Sequence, residues 1–190
     1  MVNSVKSIRE LATAAAYEQF ESTGTISMRK VGASLQVSAT ALYHHFSNRQ
    51  ALLNAVAERA FSTFETRLRG IDAKSPAKVI HAILAEYSRF AADHPHLFRL
   101  MFVEPGHAAR RFPRDFAAHR SAVFNTLWKA VQELTADNPD GTSDDALYLA
   151  HDLWAMAHGH ILLWRAGRFE NDRAYEESRQ RSIDHFISTL

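Results

Sequence analysis

Cysteine is absent from the 190 residues of the chain, so disulfide bonds, thiolate nucleophiles and cysteine-ligated zinc are excluded. The N-terminus, MVNSVKSIRELATAAAYEQF, has no apolar run of the signal-peptide type. No stretch approaches the roughly 18 uncharged apolar residues that suggest a transmembrane helix. We therefore expect a cytoplasmic protein with no membrane partner, since the lack of cysteine also fits a reducing compartment.

Glycine and proline are scarce, with seven and five residues, and several of them separate long segments of helical periodicity. Neither basic nor acidic residues are in clear excess, with 22 Lys and Arg against 21 Asp and Glu. The net charge is only +1 at pH 7, which argues neither for nor against a nucleic-acid partner. Apolar residues make up 46% and charged residues 23% of the chain, as is typical of a soluble globular protein.

The 3.6-residue periodicity predicts an all-α protein of about nine helices, with no convincing strand. Three short helices form an N-terminal helix-turn-helix unit at residues 1–47, and a larger helical body follows at residues 48–190. The body begins with a long connecting helix at residues 48–70. From Phe112 to about Asp137 the pattern is that of one continuous helix.

The helix-turn-helix occupies the segment SMRKVGASLQVSATALYHHF. Each of its two helices begins with a serine suited to N-capping, Ser27 and Ser38. In such a motif the second helix enters the DNA major groove and presents its N-terminal residues to base edges. Thr40 offers a hydroxyl group there, and Ala39 keeps the helix slim. Leu42 and Phe46 are expected to point inward and anchor the helix.

Two adjacent histidines, His44 and His45, end this second helix. Neighbouring helical residues point about 100° apart, whereas paired metal ligands on a helix need i,i+3 or i,i+4 spacing. We therefore predict no metal site here. His44 is expected to lie on a functional surface and His45 to be partly packed, the alternative being two solvated histidines without a function.

The segment TGTISMRKVGASLQVSATALYHHFSNRQALLNAV resembles the DNA-binding segment of the tetracycline-repressor (TetR) family of bacterial transcription regulators. The resemblance covers about residues 5 to 57 and implies a double-stranded DNA operator as partner. It is carried by Phe20, Gly24, Val31, Val37, Ser38, Leu42, Tyr43, His45, Phe46, Arg49, Leu52 and Leu53. The DNA-contacting residues that motif and resemblance together imply are Ser27, Met28, Arg29, Ser38, Ala39, Thr40, Tyr43, His44 and Arg49.

Two residues depart from the family pattern. Gln36 stands in the turn where the family usually has glycine. A non-glycine residue with positive φ costs roughly 1 kcal/mol, so the turn is either slightly strained or differently shaped. Gly32 stands where alanine is usual, and we expect it to weaken the first helix by less than about 1 kcal/mol.

The C-terminal body contains none of the motifs that mark a nucleophile elbow, a phosphate-binding loop, a zinc protease or a dinucleotide site. We predict no catalytic residue and no cofactor. The rival hypotheses are an all-helical enzyme using Asp115, His119 or His151, and a helical adaptor that does not bind DNA. Asp115 and His119 are four residues apart and could pair on a helix.

The segment ALYLAHDLWAMAHGHILLWRAG is apolar on nearly all sides of a helix. A helix apolar on both sides is buried on both sides, so one side is expected to face the domain interior and the other a second subunit. The resemblance implies the same, since TetR-like proteins dimerise through their last two long helices. We therefore expect a homodimer.

Aromatic and histidine side chains on the body's helices suggest a small-molecule site, because such sites combine apolar walls with a few polar groups. The alternative is that these residues are ordinary core. The predicted ligand-binding residues are Tyr87, Phe98, Met101, Phe102, Phe124, Trp128, Trp154 and His158.

Together these features predict a dimeric, ligand-responsive DNA-binding regulator. We favour a repressor that a small apolar or aromatic effector releases from a palindromic operator. The predicted lever is the connecting helix from Asn48 to about Gly70. An activator of the same fold is the alternative, and sequence does not distinguish the two.

Overall fold

This computed structural model describes residues 7–104, 110–137 and 142–190. These residues contain ten α-helices and no strands. The predicted all-α class is confirmed. The helices are α1 (Ile8–Thr23), α2 (Met28–Ser34), α3 (Ala39–Tyr43), α4 (Arg49–Arg69), α5 (Pro76–Asp93), α6 (Pro95–Phe102), α7 (Arg114–Ala117), α8 (Ala122–Leu134), α9 (Ser143–Arg165) and α10 (Asp172–Ser188). None of these helices has both the length and the apolarity that a bilayer span requires.

The helices pack as two compact units. Unit 1 comprises Met1–Phe64 with Ala92–Ala109, and unit 2 comprises Glu65–Ala91 with Arg110–Leu190. The domain boundary predicted after residue 47 divides the chain by expected function, whereas the two units are defined by packing. That boundary therefore stays a prediction.

Unit 1 is built on a well-capped first helix. The Ser7 hydroxyl accepts from the Glu10 backbone N–H, and the Glu10 carboxylate accepts from the Ser7 N–H, so two otherwise unsatisfied donors are paired. The helix ends at Gly24, whose φ of 68° is left-handed. A Cβ on Gly24 would lie 2.7 Å from His96 Nδ1, so only glycine fits there without a shift. The buried core of this unit includes Ala12, Ala16, Phe20, Ile26, Val31, Leu42, Phe46, Leu52, Val56, Phe64, Leu97 and Phe98.

The helix-turn-helix has both predicted caps. The Ser27 hydroxyl accepts from Lys30 N at 3.4 Å, and the Ser38 hydroxyl accepts from Ala41 N at 3.1 Å. Between the helices Gln36 has a φ of 59°, so the turn is the strained one of the two alternatives. The Val37 N–H donates to Gly32 O at 2.9 Å and closes the turn.

Replacing Gly32 by alanine should destabilise the protein, although alanine is the better helix former. A Cβ on Gly32 would lie 2.8 Å from the Val37 carbonyl oxygen, which is backbone and cannot move away alone. Overpacking of this kind costs about 1 to 3 kcal/mol, which exceeds the gain in helix propensity. We expect urea unfolding of Gly32→Ala to give a lower midpoint than wild type. A raised midpoint would contradict the steric argument.

Unit 2 differs from the sequence prediction between Phe112 and Asp137. The predicted single helix is wrong, because α7 and α8 are separated by a break. His119 has a φ of 55°, which no α-helix accommodates. The Ser121 hydroxyl then accepts from Phe124 N at 3.4 Å and starts a new helix. The break explains why ten helices are found in the described residues where about nine were expected.

Helix α9 is the longest element of unit 2 and begins with a capping box between Thr142 and Asp145. One side is buried and consists of Ala146, Leu147, Ala150, Leu153, Ala157 and Ile161. On the opposite side Tyr148, Leu162 and Leu163 are exposed large apolar residues. The chain therefore buries a single side of this helix within its own fold.

Candidate DNA interface and ligand-binding cluster

Helix α3 presents its predicted outer face to solvent. Thr40, Tyr43 and His44 are exposed, and half of the Tyr43 side chain is accessible. Leu42 and Phe46, the predicted anchors, are fully buried in unit 1. A five-residue helix cannot hold its shape alone, so these two apolar anchors fix the face that it shows.

The double histidine lies on this surface, but not quite as predicted. His45 is exposed like His44, so the expectation that it is partly packed is wrong. The described residues contain no group of three His, Cys, Asp or Glu side chains able to hold a metal ion.

The residues predicted to start the helix that meets the DNA backbone have three different environments. Arg29 is exposed, Ser27 is partly buried as the N-cap, and Met28 is buried in the core. The Met28 side chain is therefore placed for packing, and only its backbone could face a phosphate. Arg49 is exposed, and its Nε donates to Ile26 O at 3.1 Å, which ties the start of α4 to the segment before α2.

Arg9 is a residue of this region that the sequence reasoning missed. Its Nη1 donates to the His45 carbonyl oxygen at 2.6 Å, and its guanidinium lies 4.6 Å from the centre of the Phe46 ring. Arg9 thus joins α1 to the residues directly after α3 by a hydrogen bond and a cation–π contact. No local pattern could have shown it, because the partners are 36 residues apart.

The predicted ligand-binding residues divide between the two units. Phe98, Met101 and Phe102 belong to unit 1, where the Phe98 and Phe102 ring centres are 5.2 Å apart. Phe98 is fully buried and therefore part of that core. The other five residues belong to unit 2 and are Tyr87, Phe124, Trp128, Trp154 and His158.

Three of the unit 2 residues form a hydrogen-bonded cluster, Tyr87, Trp154 and His158. Trp154 Nε1 lies 3.2 Å from the Tyr87 hydroxyl oxygen, which is 2.8 Å from His158 Nδ1. An indole nitrogen can only donate, so the Tyr87 oxygen accepts from Trp154 and its own proton is directed at His158 Nδ1. We therefore assign His158 as the neutral tautomer with its proton on Nε2.

Burial keeps this cluster uncharged. It lowers the pKa of His158 and raises the pKa of Tyr87, because each charged form would lose its hydration. At neutral pH both groups are therefore neutral, and the cluster offers hydrogen-bonding groups without charge. Such groups suit an uncharged or weakly polar ligand.

Aromatic rings surround this cluster within unit 2. The Trp154 ring centre lies 5.9 Å from that of Phe116 and 6.3 Å from that of Phe124. The Trp128 ring is stacked on His119 at 4.6 Å. Trp128 Nε1 is buried and has no hydrogen-bond partner within the described residues. A buried donor of this kind requires an acceptor beyond the described residues.

The residues of the enzyme hypothesis are engaged in other contacts. The Asp115 carboxylate accepts from Arg111 N at 2.9 Å and pairs with Arg114 and Arg120 at 3.2 and 3.1 Å. The Arg111 backbone N–H, ahead of the Arg114 contacts, lowers the pKa of Asp115, so this carboxylate is a poor base. His119 stacks on Trp128 instead of pairing with Asp115.

Two family models match the chain. Residues 10–56 match the model of bacterial regulatory proteins of the tetR family, and residues 80–190 match that of the tetracyclin repressor-like C-terminal domain. No curated protein matches the chain significantly in sequence.

Solved structures with similar folds cover nearly the whole chain. A protein of unknown function from Rhodococcus sp. RHA1 is 27% identical with a TM-score of 0.75, over 99% of this chain and 97% of that one. A TetR variant from Acinetobacter baumannii AYE, solved in complex with minocycline, is 20% identical with a TM-score of 0.67, over 97% and 96%. BioQ, solved with its natural double-stranded DNA operator, is 20% identical with a TM-score of 0.61, over 96% and 99%. The last two likenesses concern the fold alone.

Proposed function

The chain belongs to the TetR family of bacterial regulatory proteins, and we propose that it acts as a dimeric transcriptional repressor released from DNA by a small aromatic or apolar effector. Its function is DNA-binding regulation rather than enzymatic catalysis. We propose that it works in the bacterial cytoplasm, where its operator lies. The observation that supports a ligand response is the neutral Tyr87–Trp154–His158 cluster inside unit 2.

The exposed face of α3 supports the way in which DNA is bound. Thr40, Tyr43 and His44 would enter the major groove, while Arg29 and Arg49 would meet phosphates on its sides. Phosphate contacts release counterions, so affinity should fall steeply with salt. Ser27, Ser38 and Ala39 complete the proposed contact set as the caps and slim first turn that orient the two helices.

The outer side of α9 supports dimerisation. Leu162 is 39% and Leu163 51% exposed in the protomer, an unfavourable position for two adjacent leucines unless another surface covers them. A Cβ on Gly159 would have no neighbour within 4 Å, so a second helix could approach closely at that point. We propose that α9 and α10 pair with the same helices of a second copy. The two recognition helices would then be about 34 Å apart, one turn of the double helix.

The ligand site is proposed around the Tyr87–Trp154–His158 cluster. Phe124 and Trp128 would supply apolar walls. The Trp128 N–H, which has no partner among the described residues, would donate to an acceptor on the ligand. Phe98, Met101 and Phe102 stay predicted contacts, with Phe98 the weakest candidate because it is fully buried in unit 1.

Release follows from a difference in affinity of the effector for two states of the protein. A factor of about 10⁴, or roughly 5.5 kcal/mol, moves a two-state balance from 1:99 to 99:1. Helix α4 belongs to unit 1 through Phe64 and to unit 2 from Glu65, and α5 crosses back to unit 1 after Ala91, so both helices link the two units in sequence. Of the two, α4 directly follows the helix-turn-helix in the chain. We propose α4 as the lever.

Selection of binding sites from a random-sequence DNA pool tests this function. The expected product is a palindrome whose half-sites are centred about 10 base pairs, or a multiple of that, apart. A reporter gene placed behind the selected site should then be expressed less when the protein is present. Higher expression would identify an activator instead. Failure to select any sequence would favour the adaptor hypothesis.

Replacing Trp154 by alanine should change the response to effector more than the affinity for DNA. The variant loses both the ring and the N–H that donates to Tyr87, while the DNA-binding face is untouched. We expect an aromatic compound that stabilises the wild-type protein against heat to release the variant from DNA at a concentration at least tenfold higher.

Trp164→Ala is the matched control, because this second tryptophan of α9 donates to Asp172 outside the cluster. Its effector response should equal that of wild type. If Trp154→Ala merely unfolds the protein, Trp154 belongs to the core and not to a ligand site.

A further inference from the structure

The turn of the helix-turn-helix contains an unexplained non-glycine residue. Gln36 has a φ of 59°, which is the left-handed region that glycine occupies without strain. Its side chain is exposed. A long side chain in this conformation destabilises the free protein, and such strain persists mainly where a function requires the residue.

Nothing within the described residues compensates for this strain. The Gln36 N–H donates to Ala33 O at 3.1 Å, a backbone bond that glycine would make equally well. The side-chain amide makes no hydrogen bond to any described part of the chain. The amide is therefore available to a molecule other than this protein.

Helix α3 itself lacks the side chains that read bases most specifically. Its sequence ATALY, with Ser38 before it and His44 after it, contains no Arg, Lys, Asn or Gln. Those four residue types make the bidentate contacts that distinguish guanine or adenine in the major groove. Gln36 is two residues before the N-cap of this helix, at the end that approaches the bases.

We propose that Gln36 is a specificity-determining residue that contacts an adenine edge of the operator through its side-chain amide. A glutamine amide can accept from N6 and donate to N7 of adenine at the same time. The exposed cations Arg29 and Arg49 are proposed to meet the phosphates of this region, so a neutral amide is better suited to a base. The inference rests on the proposed placement of α3 in the major groove.

Gln36→Ala is the primary test, because alanine removes the amide and keeps the left-handed strain. The probe is the DNA site that the wild-type protein selects from a random pool. We expect an unchanged melting temperature and a loss of affinity on the order of 5- to 100-fold, the range for one bidentate contact. Selection with the variant should return the wild-type site without its preference for adenine at one position per half-site.

Gln36→Gly distinguishes the effect of the backbone strain at residue 36 from the effect of the lost amide contact with DNA. Glycine relieves the strain and also lacks the amide, so its melting temperature should rise while its affinity falls as for Gln36→Ala. Gln132→Ala, which removes an amide from α8 of unit 2, should bind DNA like wild type.

Three results would overturn the inference. One is wild-type affinity and an unchanged selected site for Gln36→Ala. Another is an equal loss of affinity on all DNA sequences, which would place the amide on a phosphate. The third is a Gln36→Gly protein that binds as tightly as wild type. Failure of the wild-type protein to select any site would instead count against the regulator function itself, together with this contact.

Discussion

Replacement of Tyr43 by alanine is expected to weaken operator binding at least tenfold without unfolding the protein. Half of this side chain is exposed, whereas its neighbour Leu42 is fully buried. Removal of a half-exposed ring should leave the fold intact, so a loss of affinity would report a contact with DNA. Fluorescence anisotropy with a labelled operator gives the affinity, and circular dichroism checks that the helices are intact.

Tyr43→Phe divides the contribution of Tyr43 between ring and hydroxyl. A phosphate contact through the hydroxyl would make Tyr43→Phe as weak as Tyr43→Ala on every DNA sequence. A ring contact with a thymine methyl group would leave Tyr43→Phe near wild type. Unchanged affinity of Tyr43→Ala would remove Tyr43 from the interface altogether.

Local chemistry made the N-terminal unit predictable. Ser27 and Ser38 are caps because a hydroxyl can satisfy a free N–H at a helix start, and this depends only on residues three positions away. Leu42 and Phe46 are buried because they fall on the inner side of one short helix. Each inference needed only a few consecutive residues.

The break between α7 and α8 was not predictable from such patterns. Apolar residues keep helical spacing across it, and a histidine at a left-handed position is still uncommon, so His119 alone does not mark a break. The break is held by contacts with the following helix α8, namely the stacking of His119 on Trp128 and the Asn125 side chain that donates to His119 O at 3.0 Å. These side-chain contacts outweigh the helical spacing of the apolar residues.

The contacts of the candidate site residues were harder still to predict, because their partners are distant in sequence. Tyr87 and His158 are 71 positions apart, so their hydrogen bond could not be inferred from spacing. Met28 shows the opposite case, since the family resemblance placed it at the interface while packing buries it. Residue type and position along a helix do not specify which side of that helix the rest of the chain will cover.

The pair of substitutions Leu162→Glu and Leu163→Glu should give the largest effect, conversion of the protein to monomers that bind the operator at least 100-fold more weakly. Both side chains are exposed in the protomer, so glutamates there do not disturb its core. In the proposed dimer the glutamates would be desolvated against the apolar face of the second copy, which is unfavourable without a cation. A monomer reaches one half-site only and loses the avidity of two linked contacts, which is worth about 10²- to 10⁴-fold.

Sedimentation equilibrium measures the association state, and the same labelled operator measures binding. Gly159→Trp provides a second variant by another mechanism, because a side chain at this position starts in open space in the chain alone but would clash with the second helix that the proposed dimer brings close to it. Val103→Glu is the matched control, since Val103 is a similarly exposed apolar residue of unit 1, and it should remain dimeric. If the double glutamate variant stays dimeric with full affinity, the exposed side of α9 is not the dimer interface. Another surface would then have to set the spacing of the two recognition helices.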